Sequence, residues 1–364
     1  MPADLFIGLM SGTSLDGVDA ALVDFSSGEA RCLCTHYKAY DEAIRKEVLA
    51  LHTPGPDELR RAALLANRLS DLYAEAANEL MAKAGVAPKQ VGAIGCHGQT
   101  VRHAPADGYT LQLNNPARLA ERTGITVVGD FRSRDIAAGG QGAPLVPAFH
   151  DAAFRLAKGH RVIVNIGGIS NLTDLAPGRC TTGFDCGPGN MLLDAWAMRH
   201  LGAAHDEGGK WAQSGRVQPE LLARLKQHPF FTALPPKSCG REEFGIEWLD
   251  GRLAGNEDAA DVQATLAALT VAGIADAVER WCGTPMEVFI CGGGIHNAAI
   301  MNGLRAALAP AAVADTAAIG LPADWVEAVA FAWLAYRAMH GQPGNLPEVT
   351  GARGQRILGA VYPG

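Results

Sequence analysis

Four glycine-flanked polar stretches in this chain hold the residue types that phosphate chemistry uses. They are GLMSGTSLDGVD from Gly8 to Asp19, NIGGISNL from Asn165 to Leu172, GFDCGPGN from Gly183 to Asn190 and CGGGIHN from Cys291 to Asn297. Phosphate groups need backbone N–H donors brought close without an intervening side chain, so glycines at turns suit them. In the first stretch Gly12 allows close approach, Ser11, Thr13 and Ser14 add hydroxyl donors, and Asp16 or Asp19 is able to hold Mg²⁺ through water. A plain β-hairpin with a polar turn explains the same residues, and Asp19 is then only a turn residue. Asp185, in GFDCGPGN, follows an apparent strand end at a glycine-rich turn; it is either a reactive carboxylate or the cap of a helix starting near Asn190. His97 in GCHGQTVRH and Arg132 in GDFRSRD stand at further strand ends, where a planar guanidinium suits a carboxylate and the histidine serves either a ligand or the structure. No G-x-x-x-x-G-K-[ST] occurs, and GPGNML lacks the third glycine of a dinucleotide fingerprint. The cradle is therefore of another kind.

Positioning these groups requires an α/β scaffold. Leu5 to Met10 and Val18 to Asp24 read as two strands around the first loop, and Asp57 to Ala84 has helical spacing that ends before Gly85. Val91 begins a short apolar strand feeding the His97 turn. Val162 to Ile166 and Ile169 to Leu175 repeat the opening hairpin around Gly167-Gly168, too far along the chain for a solenoid period, so a duplicated domain is expected. A third strand enters Gly292, Gly293 and Gly294 and leads into a helix from Asn297 to Leu308. Glu327 opens the helical stretch WVEAVAFAWLAYRAM, either projecting into a site or lying on a solvated face. The Gly/Pro-rich segment Ala137 to His150 marks the expected boundary. The expected division is thus 1–136, 137–340 and a Gly/Pro-rich tail, 341–364, that returns to pack on the first domain.

Composition narrows the function classes. The 364 residues are 48% hydrophobic and 19% charged, which favours a folded, turn-rich protein over disorder. A net charge of −7 with dispersed basic residues disfavours a nucleic-acid surface. The eight cysteines form no paired C-x-x-C motifs, so reduced thiols in a cytoplasmic protein are expected. No uninterrupted apolar run long enough to span a membrane is present, and the N-terminus lacks a basic leader.

Two glycine-turn hairpins in two halves, with a later strand and triple glycine, resemble the phosphate and adenosine motifs of the actin, sugar-kinase and heat-shock ATPase superfold. With GCHGQTVRH, NPARLAERTGITVVGDFRSRDIAAGGQGAPLVPAFH, GFDCGPGN and LPADWVEAVAFAWLA, the blocks resemble, in order and over nearly the whole chain, the anhydro-N-acetylmuramic acid kinase family. The resemblance implies a two-domain actin-like ATPase fold with ribonuclease H-like duplicated domains and a cleft between them. It implies ATP binding by Gly12, Thr13, Ser14, Leu15, Asp16, Gly17, Val18 and Asp19, by Asn165, Gly167 and Gly168, and by Gly292, Gly293 and Gly294. It further implies sugar binding by His97, Arg132 and Glu327, Mg²⁺ as the companion ion, and a homodimer. Met10 and Asn165 stand where the broader superfold usually carries Asp, so the metal ligands do not transfer from that superfold.

The implied reaction converts 1,6-anhydro-N-acetylmuramic acid and ATP to N-acetylmuramic acid 6-phosphate and ADP, a step of peptidoglycan amino-sugar recycling. Asp185 would be the base that activates water, with an ordinary carboxylate pKa of about 3.9. Two other readings compete: a kinase of the same superfold acting on an ordinary hydroxyl, and an ATP-driven conformational switch that needs no sugar.

Overall fold

The computed structural model describes residues 4–12, 14–240 and 242–364; Thr13 lies outside them. The chain forms two compact units, one from residues 1–153 with 325–364 and the other from 154–324. This division differs from the expected limits. The expected limits put the helix Val326–Met339 in the second domain, but it packs on strands of the first unit, and no local composition announces such a return.

In the first unit, β1 (Leu5–Met10), β2 (Gly17–Asp24) and β3 (Arg31–Ala39) form an antiparallel meander. β4 (Val91–Cys96) pairs parallel with β1, and β5 (Gln99–Ala104) with β6 (Tyr109–Leu113) makes a separate two-stranded ribbon. β7 (Val127–Gly129) pairs parallel with β4, and the C-terminal strand Ala360–Tyr362 pairs antiparallel with β7. Residues 341–364 thus belong to this unit.

Alternation along β1 divides its side chains between two helices. Ile7 and Leu9 join the core beneath the helix Glu58–Ala84, which contributes Leu65, Leu69, Tyr73, Ala76 and Leu80 at helical spacing. That helix stops at Gly85, whose φ of 68° is left-handed backbone that glycine adopts without strain. The other face receives the helix Val326–Met339, with Phe6 against Tyr336 at 5.4 Å. Here the backbones meet directly: a Cβ on Gly8 would lie 1.8 Å from the Ala328 carbonyl, and one on Gly95 would lie 2.0 Å from that of Phe331.

The second unit repeats the plan. β8 (Arg161–Ile166), β9 (Ile169–Leu175) and β10 (Thr182–Pro188) form an antiparallel meander, while β11 (Glu287–Cys291) and β12 (Ala312–Asp315) add in parallel, in the order β10-β9-β8-β11-β12. A meander followed by parallel strands on the opposite side of its first strand is the ribonuclease H-like topology, and its presence in both units is the actin-like duplication. The helix Ala259–Ala277, continued to Cys282 by a π turn, is long and apolar enough by composition to cross a membrane. Two thirds of that apolar window (67%) is buried, as befits the core helix of this unit.

The contact at Gly95 yields a test. Gly95→Ala must push the helix Val326–Met339 off β4, and overpacking of this kind costs ~1–3 kcal/mol or more. Urea denaturation is expected to show a lower midpoint for this variant, whereas Gly28→Ala in the β2–β3 turn, with nothing within 4 Å, costs only the strain of its φ of 84°.

Candidate active site

The first loop leaves β1 at Met10 and rejoins β2 at Gly17, where Met10 faces Asp19 across the pair. Its floor is a ring of hydroxyl and amide groups. Ser11 Oγ donates to Tyr73 Oη (3.1 Å), the Tyr73 and Tyr40 hydroxyls are 3.2 Å apart, Tyr40 Oη donates to Gln99 Oε1 (3.3 Å), and Gln99 Nε2 donates to the Gly12 carbonyl (3.2 Å). Above it, Leu15 adopts a φ of 57° and its carbonyl accepts from Arg45 Nε. Asp16 is exposed; its carboxylate takes the Ser14 hydroxyl at 2.6 Å and its carbonyl takes the Tyr37 hydroxyl and the Tyr40 N–H. Sequence reasoning missed Tyr40, Tyr73 and Gln99, because partners up to 87 residues apart leave no local pattern.

The second loop is the tight β8–β9 turn. The Gly167 carbonyl accepts from Asn190 N (2.8 Å), and the Gly168 carbonyl from Gly189 N (2.9 Å) and Met191 N (3.2 Å). The turn therefore caps the helix Met191–Leu201. In the third loop Gly292 takes a φ of 78°, and Asn297 caps the helix Ala298–Ala307 by accepting from Ala299 N and Ile300 N. Asn165, at the end of β8, accepts from Cys291 Sγ at 3.9 Å, so the second and third loops touch.

The glycines of these loops fall into two kinds. Packing alone demands several of them: a Cβ would lie 2.4 Å from Lys38 O at Gly17, 2.4 Å from Asn165 Oδ1 at Gly292, and 2.3 Å from Ile166 Cγ2 at Gly294. Gly12, Gly167 and Gly293 are different, with nearest neighbours at 3.6, 3.7 and 3.9 Å, which is ordinary contact distance. None of these three has left-handed φ. The fold has no need of glycine there, and each of the three loops holds one such open position. Such open glycines let a ligand approach the backbone closely.

His97, Arg132 and Glu327 come together within the first unit. His97 follows β4, is 4% exposed and packs on Phe331 at 4.7 Å. Its Nε2 accepts from Arg132 Nε (3.1 Å) and Nη2 (2.9 Å), which fixes the proton of the neutral ring on Nδ1. Burial and the adjacent guanidinium hold its pKa well below the usual imidazole value. Arg132 also donates from Nη1 to the Gly142 carbonyl at 2.8 Å, and burial brings its pKa down to about 10 against the opposing pull of Glu327 and Asp135. Of its five N–H donors, two have no partner among the described residues. Glu327, in the first turn of the helix Val326–Met339, is pushed above the usual carboxyl range by burial, with Arg132 pulling the other way.

Asp185 belongs to the second unit, on edge strand β10, at a bulge that shifts the register with β9 between Asp185 and Gly187. The segment Lys237–Cys239 runs beside it: Asp185 N donates to the Lys237 carbonyl (3.1 Å), and Asp185 Oδ2 accepts from Cys239 N (3.0 Å). Asp185 does not cap the following helix, whose first donors go to the Gly167 and Gly168 carbonyls. Its pKa also departs from the ordinary value expected from sequence. Burial raises it to about 6, aided by Glu243 and opposed by the Cys239 N–H and by Lys237. This environment comes from residues some fifty positions later, so the sequence around Asp185 does not foretell it.

Comparison with known proteins identifies the family. The family model for anhydro-N-acetylmuramic acid kinase covers residues 4–364. A protein of that description from Nitrosospira multiformis is 56% identical over 365 residues, spanning 100% of both chains, and one from Chromobacterium violaceum is 54% identical over 364 residues, spanning 99% of each. Among solved structures, component A of (R)-2-hydroxyglutaryl-CoA dehydratase from Acidaminococcus fermentans aligns with a TM-score of 0.48 at 14% identity, over 92% of this chain and 98% of that one. On the full-length family match and these close relatives, the chain belongs to the anhydro-N-acetylmuramic acid kinase family and is a kinase, a phosphotransferase.

Proposed function

We propose that this kinase uses ATP and water to open 1,6-anhydro-N-acetylmuramic acid, giving N-acetylmuramic acid 6-phosphate and ADP. The observation that carries the hydrolytic half is Asp185. Its Oδ2 is held by the Cys239 N–H, Oδ1 has no partner among the described residues, and a pKa of about 6 makes it mostly ionised at neutrality yet a stronger base than an ordinary aspartate.

In this reading Asp185 takes a proton from water as the water oxygen bonds to the anomeric carbon. The bond from that carbon to the bridge oxygen breaks, the freed electron pair on oxygen 6 attacks the γ-phosphorus, and the β–γ bridging bond breaks to release ADP. An inverting glycosidase protonates its leaving oxygen with a second carboxylic acid; here phosphorus takes that place, so one carboxylate suffices. Arg132 and His97 would bind the sugar, with the spare guanidinium donors suited to the lactyl carboxylate, and Glu327 would accept from sugar hydroxyls.

The open positions at Gly12, Gly167 and Gly293 suit the phosphates of ATP. Thr13 shares this assignment by its place in the loop. Among the described residues no cluster of three or more metal-binding side chains occurs. That fits Mg²⁺ arriving with the nucleotide, since the ion keeps several waters and takes one or two carboxylates, here Asp16 or Asp19. It would neutralise charge on the transferring phosphate.

The test is an assay of the purified protein with ATP, Mg²⁺ and the anhydro sugar in ¹⁸O-labelled water. Sugar-dependent ADP and a phosphorylated product with label at carbon 1 are expected; ADP without label identifies a kinase that spares water, and ADP independent of sugar identifies a switch. Asp185→Asn is expected to lower kcat by ~10²- to 10⁴-fold in a folded protein. A base works only when deprotonated, so kcat/KM should rise with pH through an inflection at about 6, and an acid limb near the ordinary aspartate value would argue against the raised pKa. Gly12→Ala and Gly167→Ala should fold normally yet raise the KM for ATP by ~10- to 100-fold, the worth of one or two lost hydrogen bonds to a charged group. An unchanged KM in both would remove the phosphates from these loops.

A further inference from the structure

Asp135 is the fully buried carboxylate of the first unit, 0% exposed, and none of the functional assignments above uses it. Three donors converge on it. Oδ1 accepts from Asn345 Nδ2 (2.7 Å) and Thr350 Oγ1 (2.8 Å), and Oδ2 accepts from Gly142 N (2.8 Å). The partners come from two separate segments: Gly142 ends the AAGGQG loop that follows Asp135 itself, while Asn345 and Thr350 lie in the Gly/Pro-rich tail. The same tail holds that loop a second time, through Gln141 N donating to the Thr350 carbonyl at 2.7 Å.

The loop is shaped around this carboxylate. A Cβ on Gly140 would lie 2.2 Å from Asp135 Oδ2, and Gly142 has a φ of 67°. What the loop delivers is one carbonyl: Gly142 O accepts from Arg132 Nη1 at 2.8 Å. Arg132 in turn grips His97 through its other edge. A continuous chain of hydrogen bonds therefore runs from Asn345 and Thr350 through Asp135 and Gly142 to Arg132 and His97.

We propose that Asp135, with Asn345 and Thr350, is the positioning residue of the Arg132–His97 pair, setting the plane of the guanidinium so that its two spare donors meet the sugar. The proposal rests on the reading of Arg132 and His97 as sugar-binding groups. A guanidinium anchored only at His97 would pivot about that contact; the Gly142 carbonyl removes the pivot. The tail thus supplies part of the specificity apparatus without touching the ligand.

Asp135→Asn keeps the shape but turns one acceptor into a donor facing donors. It is expected to raise the KM for the anhydro sugar by roughly 10², the cost of misplacing a binding group by about 1 Å, with the KM for ATP unchanged. Thr350→Val should shift the sugar KM in the same direction by less, and Thr350→Ser should restore it. In the free protein, the imidazole ¹⁵N resonances of His97 should move in Asp135→Asn and Thr350→Val and return in Thr350→Ser. A folded Asp135→Asn with wild-type sugar KM and unmoved His97 resonances overturns the proposal, and if that variant fails to fold, the Thr350 pair decides by the same two readouts. If the wild-type protein shows no sugar-dependent ADP release, the substrate reading fails instead, and the His97 resonances alone decide whether Asp135 sets the pair.

Discussion

The first unit depends on one close backbone approach, that of the helix Val326–Met339 to β1 and β4 at Gly8 and Gly95. Only glycine permits it, and its consequences reach His97, Arg132 and Glu327 directly. The helix begins with Glu327, β4 ends before His97, and β7 beside β4 leads to Arg132, so the seating of one helix sets three polar groups against one another. A helix spaced further out by side chains would take from the buried Arg132 one of the two carboxylates, Glu327 and Asp135, whose charge it feels, and weakening the compensation of a buried charge is costly.

The second unit meets a different constraint, the burial of a carboxylate on the edge strand of a sheet. An edge strand offers unpaired backbone groups. β10 has its edge covered at Asp185 by Lys237–Cys239, which supplies the N–H that opposes the rise caused by burial of the carboxyl. Burial, with Glu243 adding to it, outweighs that N–H and brings the pKa to about 6. The Lys237 ammonium, although near, is itself engaged with the Phe230 carbonyl and ring, and its pull on Asp185 ranks last among the causes.

Much of this was legible in the amino-acid order because the loops are local. The alternation around Ser11 to Asp16 and around Gly167-Gly168, and the strand before the triple glycine, announced both hairpins and the Asn297-capped helix from a few residues each. The units were less legible. The expected boundary lies in a Gly/Pro-rich stretch, Ala137 to His150, but residues 137–142 of it are the loop shaped around Asp135, Val146 to His150 begin a helix, and the chain crosses between units later. Likewise the hydroxyl ring of Ser11, Tyr40 and Tyr73, the cover over Asp185, and Asn345 reaching Asp135 across 210 residues join positions that share no period. Long-range partners of this kind are chosen by tertiary packing, which a hydrophobic pattern specifies only in outline.

The hydroxyl floor beneath the first loop has an electrostatic consequence. Burial pushes the Tyr40 phenol up to about 12 and the Tyr73 phenol well above its ordinary value, so neither becomes a phenolate in any solution where the protein works. A loop floored by carboxylates would repel a polyanion and would change its repulsion with acidity; this floor stays neutral and donates or accepts hydrogen bonds without gaining charge. The backbone above it therefore keeps a constant local potential as the acidity of the solution changes.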